Sequence, residues 1–193
     1  MTEFKKEKSN TQPDLSRSFL KHKSIVLPDL KAQIIFWSLI IVGLVLDLWS
    51  KQVVFKFLDQ RGTYPVIEGF LQLVRALNDG AAWGLFPGKS YFLTSVSVIA
   101  LLVIFAVFFF GQSRQRLVCI ALGLFAAGIC GNLYDRIFND GLVRDFIDVV
   151  YWPGRHWPAF NVADSLLCIG VGLLLISTFP TEKSPRTHAR QQK

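Results

Sequence analysis

Four apolar runs of helix length, separated by polar segments, limit what this chain can fold into. The runs cover residues 30–49, 91–111, 117–133 and 160–179. A helix needs about 20 mainly apolar residues to cross the hydrocarbon of a bilayer. Hydrophobic residues make up 51% of the chain, which is typical of a multi-span membrane protein and unlike an ordinary soluble domain. We therefore predict a membrane α-helical fold with four transmembrane helices.

Basic residues lie mostly outside these runs. Of the 21 Lys and Arg residues, seven precede residue 32 and four follow residue 180. We interpret residues 1–30 and 180–193 as basic cytoplasmic tails, the first of them disordered, on either side of a four-span domain over 31–179. Because cytoplasmic loops carry the excess of Lys and Arg, both termini are expected in the cytoplasm. The segments 47–90 and 134–159 are then expected on the outer face.

The same charge pattern argues against several functional classes. The basic residues flank apolar runs and form no stripe on a folded face, so no nucleic-acid partner is expected. The three cysteines lie inside apolar runs, and the three histidines are far apart in the sequence. Neither a metal site nor a cofactor is predicted from this spacing.

Local signals mark helix starts and one strand. Asp29 follows Pro28 and is placed to cap the first helix. Residues 70–77, F-L-Q-L-V-R-A-L, alternate in part as a half-buried strand does, and the N-D-G that follows signals a turn. The segment 52–90 is therefore predicted to hold a small strand-containing module, outside the hydrocarbon or on its surface.

An acidic stretch over 131–165 is the strongest indication of a site. It holds five of the fourteen acidic residues, Asp135, Asp140, Asp145, Asp148 and Asp164. Carboxylates beside membrane spans are costly, so they suggest function. Asn161 can cap the fourth helix, whose dipole would favour a charged Asp164. If the aromatic connector folds back to bring Asp145 and Asp164 together, the pair would share a proton and could activate water. The residues alone leave open whether they meet.

Other chemistries have less support. There is no G-x-S-x-G motif, and no serine has a histidine at a suggestive position. Transport is the other serious class, because intramembrane carboxylates often mark ion paths, but the acids cluster at one face and no internal repeat is visible. A membrane transporter and a non-catalytic assembly protein remain the alternatives. Asp47 and Lys51 share a helical face and are expected to pair, either at the site or as an ordinary interfacial ion pair.

Five motifs give the chain a specific resemblance. They are D-L-W-S-K at 47–51, N-D-G-A-A-W-G at 78–84, G-N-L-Y-D-R at 131–136, V-R-D-F-I-D at 143–148 and F-N-V-A-D-S at 160–165. In order and in spacing relative to the spans, they resemble bacterial lipoprotein signal peptidases (signal peptidase type II), which are aspartic intramembrane peptidases. The resemblance covers about residues 33–179. One departure is an extra residue between Arg136 and Asp145.

The resemblance implies a fold and an activity. It implies four transmembrane helices, a small extracytoplasmic β-cradle between the first two, and a short periplasmic helical segment before the fourth. It also implies an endopeptidase of the bacterial inner membrane that acts on diacylglyceryl-modified prolipoproteins and cleaves before the lipidated cysteine. Membrane lipids are the other expected partners, no cofactor is implied, and we expect a monomer.

The resemblance also assigns residues. It makes Asp145 and Asp164 the catalytic pair, one taking a proton from water and the other donating one, with the order open. Substrate-binding or supporting roles fall on Asp47, Lys51, Asn78, Gly80, Asn132, Asp135, Arg136 and Asn161. Simpler roles stay open for three of these: Arg136 pairing with Asp148 or a lipid phosphate, Asn132 capping the third span, and Asn78 making only a turn. Asp148 is expected to be structural, and Asp140 to be a solvated hairpin residue.

Overall fold

The computed structural model of the chain describes residues 27–60, 62–80, 85–111 and 115–179. In order, these form α1 (Leu30–Leu58), β1 (Tyr64–Ile67), β2 (Leu71–Asn78), α2 (Ser90–Phe110), α3 (Arg116–Phe138), β3 (Val143–Trp152), β4 (Arg155–His156) and α4 (Val162–Thr178). The strands pair antiparallel in the order β1-β2-β3-β4. Apolar helices with a small antiparallel sheet confirm the fold prediction at that level. Most of both predicted tails, residues 1–26 and 180–193, lies outside the described residues.

The helices fall close to the predicted spans. α1, α2 and α3 are each long and apolar enough to cross a membrane, whereas α4 has 17 residues and is shorter. At 1.5 Å per residue α4 is about 26 Å long, against about 30 Å for a hydrocarbon core. As predicted, Asp29 caps α1, its side chain accepting from the Ala32 N–H at 2.9 Å. α1 runs on to Leu58, well past the end of the predicted first span.

Helix α3 lies at the centre of the bundle because small residues let its neighbours approach closely. Ala126 and Ala127 are fully buried. A Cβ at Gly128 would lie 2.5 Å from the Ala163 carbonyl oxygen of α4, so those two backbones are nearly in contact. Apolar side chains from α1, α2 and α3 fill the core, including Phe36, Ile40, Ile104, Phe108 and Leu122.

The prediction of a short helical segment before the fourth helix is wrong. The chain there forms β3 and then β4. The sequence V-R-D-F-I-D-V-V-Y-W is rich in β-branched and aromatic residues, which favour strands, and Gly154 provides the positive φ, 73°, of the turn that follows. β2 offers the paired edge, with Ala76 opposite Asp145.

The chain then returns along β3. Phe160 donates its N–H to the Ile147 carbonyl at 3.0 Å and accepts from the Ile147 N–H at 2.8 Å. This return places Asn161 and the start of α4 beside Asp145. The sheet and not a helix is therefore what joins the two halves of the acidic stretch.

Candidate active site

Asp145 and Asp164 line one cavity. Asp145 lies on β3 and is 2% exposed, and Asp164 lies in the first turn of α4. The cavity has a volume of about 820 Å³ and is lined from β2, α2, α3, α4 and the connector between β4 and α4. The convergence that the residues alone left open is thus present in the structure.

The start of α4 is fixed from two directions. Asn161 accepts from the Asp164 N–H at 2.9 Å, and the Asp164 carboxylate accepts from the Asn161 N–H at 3.2 Å, which completes a capping box. From α1, Asp47 accepts from the Ala163 N–H at 2.8 Å. The first-turn N–H groups, which lack partners within a helix, are therefore bound by side chains that also hold Asp164 in position.

Two asparagines link the carboxylates. Asn132 Nδ2 donates to Asp164 Oδ1 at 2.7 Å, and Asn161 Nδ2 donates to Asp145 Oδ1 at 2.6 Å and to Asn132 Oδ1 at 3.0 Å. Asn78 Nδ2 donates to the other oxygen of Asp145 at 3.0 Å. Each oxygen of the pair thus accepts an N–H, and hydrogen bonds of this kind to charged acceptors are short and directional.

Behind the asparagines lies a buried cluster of two acids and two bases. Lys51 Nζ lies 2.7 Å from Asp47 Oδ2 and 3.2 Å from Asp135 Oδ2, and all three side chains are fully buried. The contact between Lys51 and Asp47 Oδ2 is an ion pair. Arg144 Nη2 lies 2.6 Å from Asp135 Oδ1. The cluster has no net charge, as burial requires.

Lys51 also fixes the orientation of Asn132. Its ammonium lies 3.1 Å from Asn132 Oδ1, and an ammonium can only donate. The amide oxygen of Asn132 must therefore face Lys51, which leaves the amide nitrogen facing Asp164. The asparagine bridge has a defined direction because a cation stands behind it.

The structure bears on the simpler roles considered for three residues. Arg136 does not pair with Asp148 but donates to the Gly80 carbonyl at 3.0 Å, and its pairing with a lipid phosphate stays a prediction. Asn132 does not end its helix, since α3 continues to Phe138. Asn78 does make a turn, accepting from the Gly80 N–H at 2.9 Å, but its amide nitrogen also reaches Asp145.

Burial sets the protonation of Asp145. The pKa of this carboxyl is raised from 3.8 to about 7, first by burial and then by the negative charge of Asp164, and the hydrogen bonds from Asn78 and Asn161 and the charge of Lys51 offset part of the rise. With this pKa, Asp145 is protonated in about half of the molecules at about pH 7, and in those molecules one carboxyl of the pair holds a proton. One carboxylate can accept a proton and the other can donate one, which is what general acid–base hydrolysis needs.

All ten residues singled out from the sequence lie in or directly behind this site. They are Asp47, Lys51, Asn78, Gly80, Asn132, Asp135, Arg136, Asp145, Asn161 and Asp164. Residues 81–84 of the second motif lie outside the described part of the chain. Within that described part, no group of three His, Cys, Asp or Glu side chains could hold a metal ion.

One functional residue was missed. Arg144, next to Asp145 on β3, binds Asp135 through its backbone N–H and its guanidinium. Neighbouring residues on a strand point to opposite faces. Because Arg144 is the neighbour of Asp145, the sequence could have assigned its side chain to the opposite face of the strand and predicted a charged partner there.

Comparisons with known proteins found a family model, related sequences and a solved structure that resemble this chain. The family model for signal peptidase (SPase) II matches residues 39–180. A lipoprotein signal peptidase of Rhodopirellula baltica is 40% identical over 172 residues, covering 80% of this chain and 76% of that protein. One of Geobacter sulfurreducens is 41% identical over 152 residues, covering 77% and 94%. A solved bacterial membrane enzyme superposes with a TM-score of 0.66 at 30% identity, covering 82% of this chain and 96% of its own.

Proposed function

Because the chain belongs to the signal peptidase II family, we propose that it is a membrane-embedded aspartic endopeptidase that removes signal peptides from diacylglyceryl-modified prolipoproteins. Cleavage falls just before the lipidated cysteine. The observation that carries this proposal is the pair Asp145 and Asp164, held on one cavity by Asn132 and Asn161. No other pair of described carboxylates lines that cavity with both partners fixed by side-chain amides.

In the proposed reaction, Asp164 is the base and Asp145 the acid. Asp164 lies at the N-terminal end of α4 and accepts hydrogen bonds on its two oxygens, from the Asn132 side chain and from the Asn161 N–H. Asp145 holds a proton in about half of the molecules at about pH 7, because its pKa is raised to about 7. Asp164 takes a proton from water as the water oxygen attacks the peptide carbonyl carbon, and Asp145 gives its proton to the carbonyl oxygen. As the tetrahedral adduct collapses and the C–N bond breaks, Asp145 takes back a hydroxyl proton, and Asp164 gives the proton that it took from water to the leaving amine nitrogen. Each positioned proton transfer contributes a factor of about 10² to 10⁴ to the rate.

The shape of the cavity supports a lipid-modified, helical substrate. Its walls combine apolar side chains of α2, α3 and α4, such as Leu93, Val96, Ile129 and Leu167, with the polar end at Asp145. An apolar signal helix and acyl chains fit the first part, and the scissile peptide fits the second. In this arrangement α4 is the fourth transmembrane helix, both termini are cytoplasmic, and the site faces the outer side of the bacterial inner membrane.

The supporting residues divide by position. Asp47, Lys51 and Asp135 hold the frame behind the asparagines. Arg136 and the Gly80 carbonyl close the cavity on the other side, where the substrate backbone would pass. Membrane lipids and prolipoproteins are the partners, and a monomer contains every group that the reaction uses.

The test is cleavage of a lipidated prolipoprotein by the purified full chain in lipid. We expect Asp145→Asn and Asp164→Asn each to abolish cleavage while the protein stays folded in the membrane. Asp140→Asn is the matched control, because Asp140 lies in the same acidic stretch but is exposed, and it should keep full activity.

Two results would count against the assignment. Normal cleavage by both variants would exclude Asp145 and Asp164 as the catalytic pair. Loss of cleavage in Asp135→Asn combined with normal cleavage in Asp145→Asn would show that the acid had been assigned to the wrong residue. A transporter would instead show solute flux in vesicles and no cleavage, and an assembly protein would show neither.

A further inference from the structure

Asp148 is a buried carboxylate for which the proposed chemistry has no use. It lies on β3 and is 6% exposed. Its Oδ2 accepts from Gln72 Nε2 of β2 at 2.5 Å and lies 2.8 Å from His156 Nδ1 of β4. Gln72 and Asp148 are directly opposite in the ladder. A single carboxylate oxygen therefore ties three strands together.

The segment that this contact secures has little other support. Residues 151–158 are all exposed, and β4 has only two residues. Trp157 donates its backbone N–H to the Val149 carbonyl at 2.8 Å. Short exposed segments with few buried contacts open locally at low free-energy cost. The His156–Asp148 contact thus lies where a local opening would begin.

This segment is also a wall of the cavity. Trp157 and Pro158, the two residues after His156, line it opposite the helices. Trp157 is 49% exposed, so part of this large apolar residue is accessible to an apolar ligand. If His156 moved away from Asp148, the adjoining residues Trp157 and Pro158 would move with it.

We propose that His156 is a positioning residue that, through Asp148 and Gln72, holds Trp157 and Pro158 against the lipid-modified end of the substrate. It sets how tightly the acylated substrate binds and leaves the rate of bond cleavage unchanged. The Nδ1–H of the imidazole donates to Asp148, in either the neutral or the charged ring. This inference rests on the proposed function, because it concerns the same cavity.

The experiment compares three variants in the full chain, at a fixed ratio of detergent to substrate. His156→Ala removes the donor, and we expect KM for the lipidated prolipoprotein to rise about three- to tenfold, as for loss of one partly exposed charged contact. We expect kcat to stay within about twofold. His156→Asn keeps a donor where Nδ1 lies and should restore most of the affinity. Arg155→Ala, on the same short strand, is the matched control and should resemble the wild type.

Hydrogen exchange supplies a readout that does not depend on turnover. The peptide covering residues 155–160 should exchange faster in His156→Ala, while peptides from α4 keep the wild-type rate. In His156→Asn the same peptide should return towards the wild-type rate. A rise in exchange confined to this peptide is what a local opening of the connector produces.

Several results would overturn the inference. An unchanged KM in His156→Ala would do so, even with faster exchange, because the wall would then not contact substrate. A parallel fall in kcat with a lower unfolding temperature would show a merely structural role. His156→Asn behaving like His156→Ala would remove the hydrogen bond as the cause. If the wild type does not cleave the substrate, both the proposed function and this inference are wrong. If the wild type cleaves it and His156→Ala has an unaltered KM, this inference alone is wrong.

Discussion

Replacing Asp145 by asparagine should abolish activity and yet relieve a pH-dependent instability of the fold. In the folded protein the pKa of Asp145 is raised from 3.8 to about 7, chiefly by burial. Unfolding returns the side chain to water and its pKa to the ordinary value. Between these two values the folded state binds more protons than the unfolded state, so stability falls as pH rises. The contribution of Asp145 is complete below the ordinary pKa and is lost as pH rises through the folded pKa.

The size of the effect follows from the shift. Each pKa unit corresponds to about 1.36 kcal/mol, so an ionised Asp145 lowers the free energy of unfolding by about 4 kcal/mol above about pH 8. That is a large share of a total stability of about 5–15 kcal/mol. An asparagine at position 145 cannot ionise, so the variant does not lose this stability as pH rises.

Asparagine also loses one hydrogen bond. Both oxygens of Asp145 accept N–H groups, from Asn161 and Asn78, and an amide can accept on only one side. This loss costs about 1–3 kcal/mol at every pH. The difference between two pH values therefore isolates the ionisation.

The assay is chemical unfolding of wild type and Asp145→Asn in one detergent, at about pH 5 and about pH 8. The stability of the variant relative to the wild type should be about 2.5 kcal/mol more favourable at the higher pH. Asp140→Asn, an exposed carboxyl on the same stretch, should show no such change. The reasoning would be refuted if the difference in unfolding free energy between Asp145→Asn and the wild type were the same at both pH values. It would also be refuted if the variant became less stable relative to the wild type at the higher pH.

Two further predictions concern the frame behind the pair. Lys51→Met leaves Asp47 buried without its cation, whereas Asp135 keeps Arg144, and the change should lower the free energy of unfolding by about 3–5 kcal/mol. Lys56→Met, exposed on the same helix, should be near neutral, and equal stabilities would contradict the cluster. Gly131→Ala would push a Cβ into the Asp47 carboxylate and should reduce both stability and cleavage. Gly172→Ala meets nothing and should be silent in the same unfolding and cleavage assays; similar losses in both would contradict close packing as the cause.

The features predicted correctly from the sequence are those with a local cause. Apolar length defined the helices, because the bilayer leaves few alternatives. Asp29 and Asn161 were read as caps from one side chain and its neighbours, and both cap. The alternating run before Asn78 became β2. Asp47 and Lys51, four residues apart on one helix, pair as expected.

The features that escaped prediction depend on pairing between distant segments. β3 forms because β2, some seventy residues earlier, presents an edge in the register that sets Ala76 opposite Asp145. No local pattern carries that register, and the resemblance implied a helical segment where the chain forms β3 and β4. The meeting of the two aspartates has the same origin, since it depends on the return of Phe160 along Ile147.

Charge balance ties the proton on Asp145 to the rest of the site. In the buried cluster Lys51 and Arg144 match Asp47 and Asp135 one for one. Among the described residues that line the cavity, Arg136 is the one cation, and it is close enough to interact with both aspartates of the pair, while the third lining acid, Asp79, is exposed. Two ionised carboxylates would exceed that single cation, and unmatched charge is expensive away from water. One proton on the pair restores neutrality. The residues that fix the geometry of the pair therefore also favour a single negative charge on it. With one carboxyl protonated and the other ionised, an acid and a base face the substrate together.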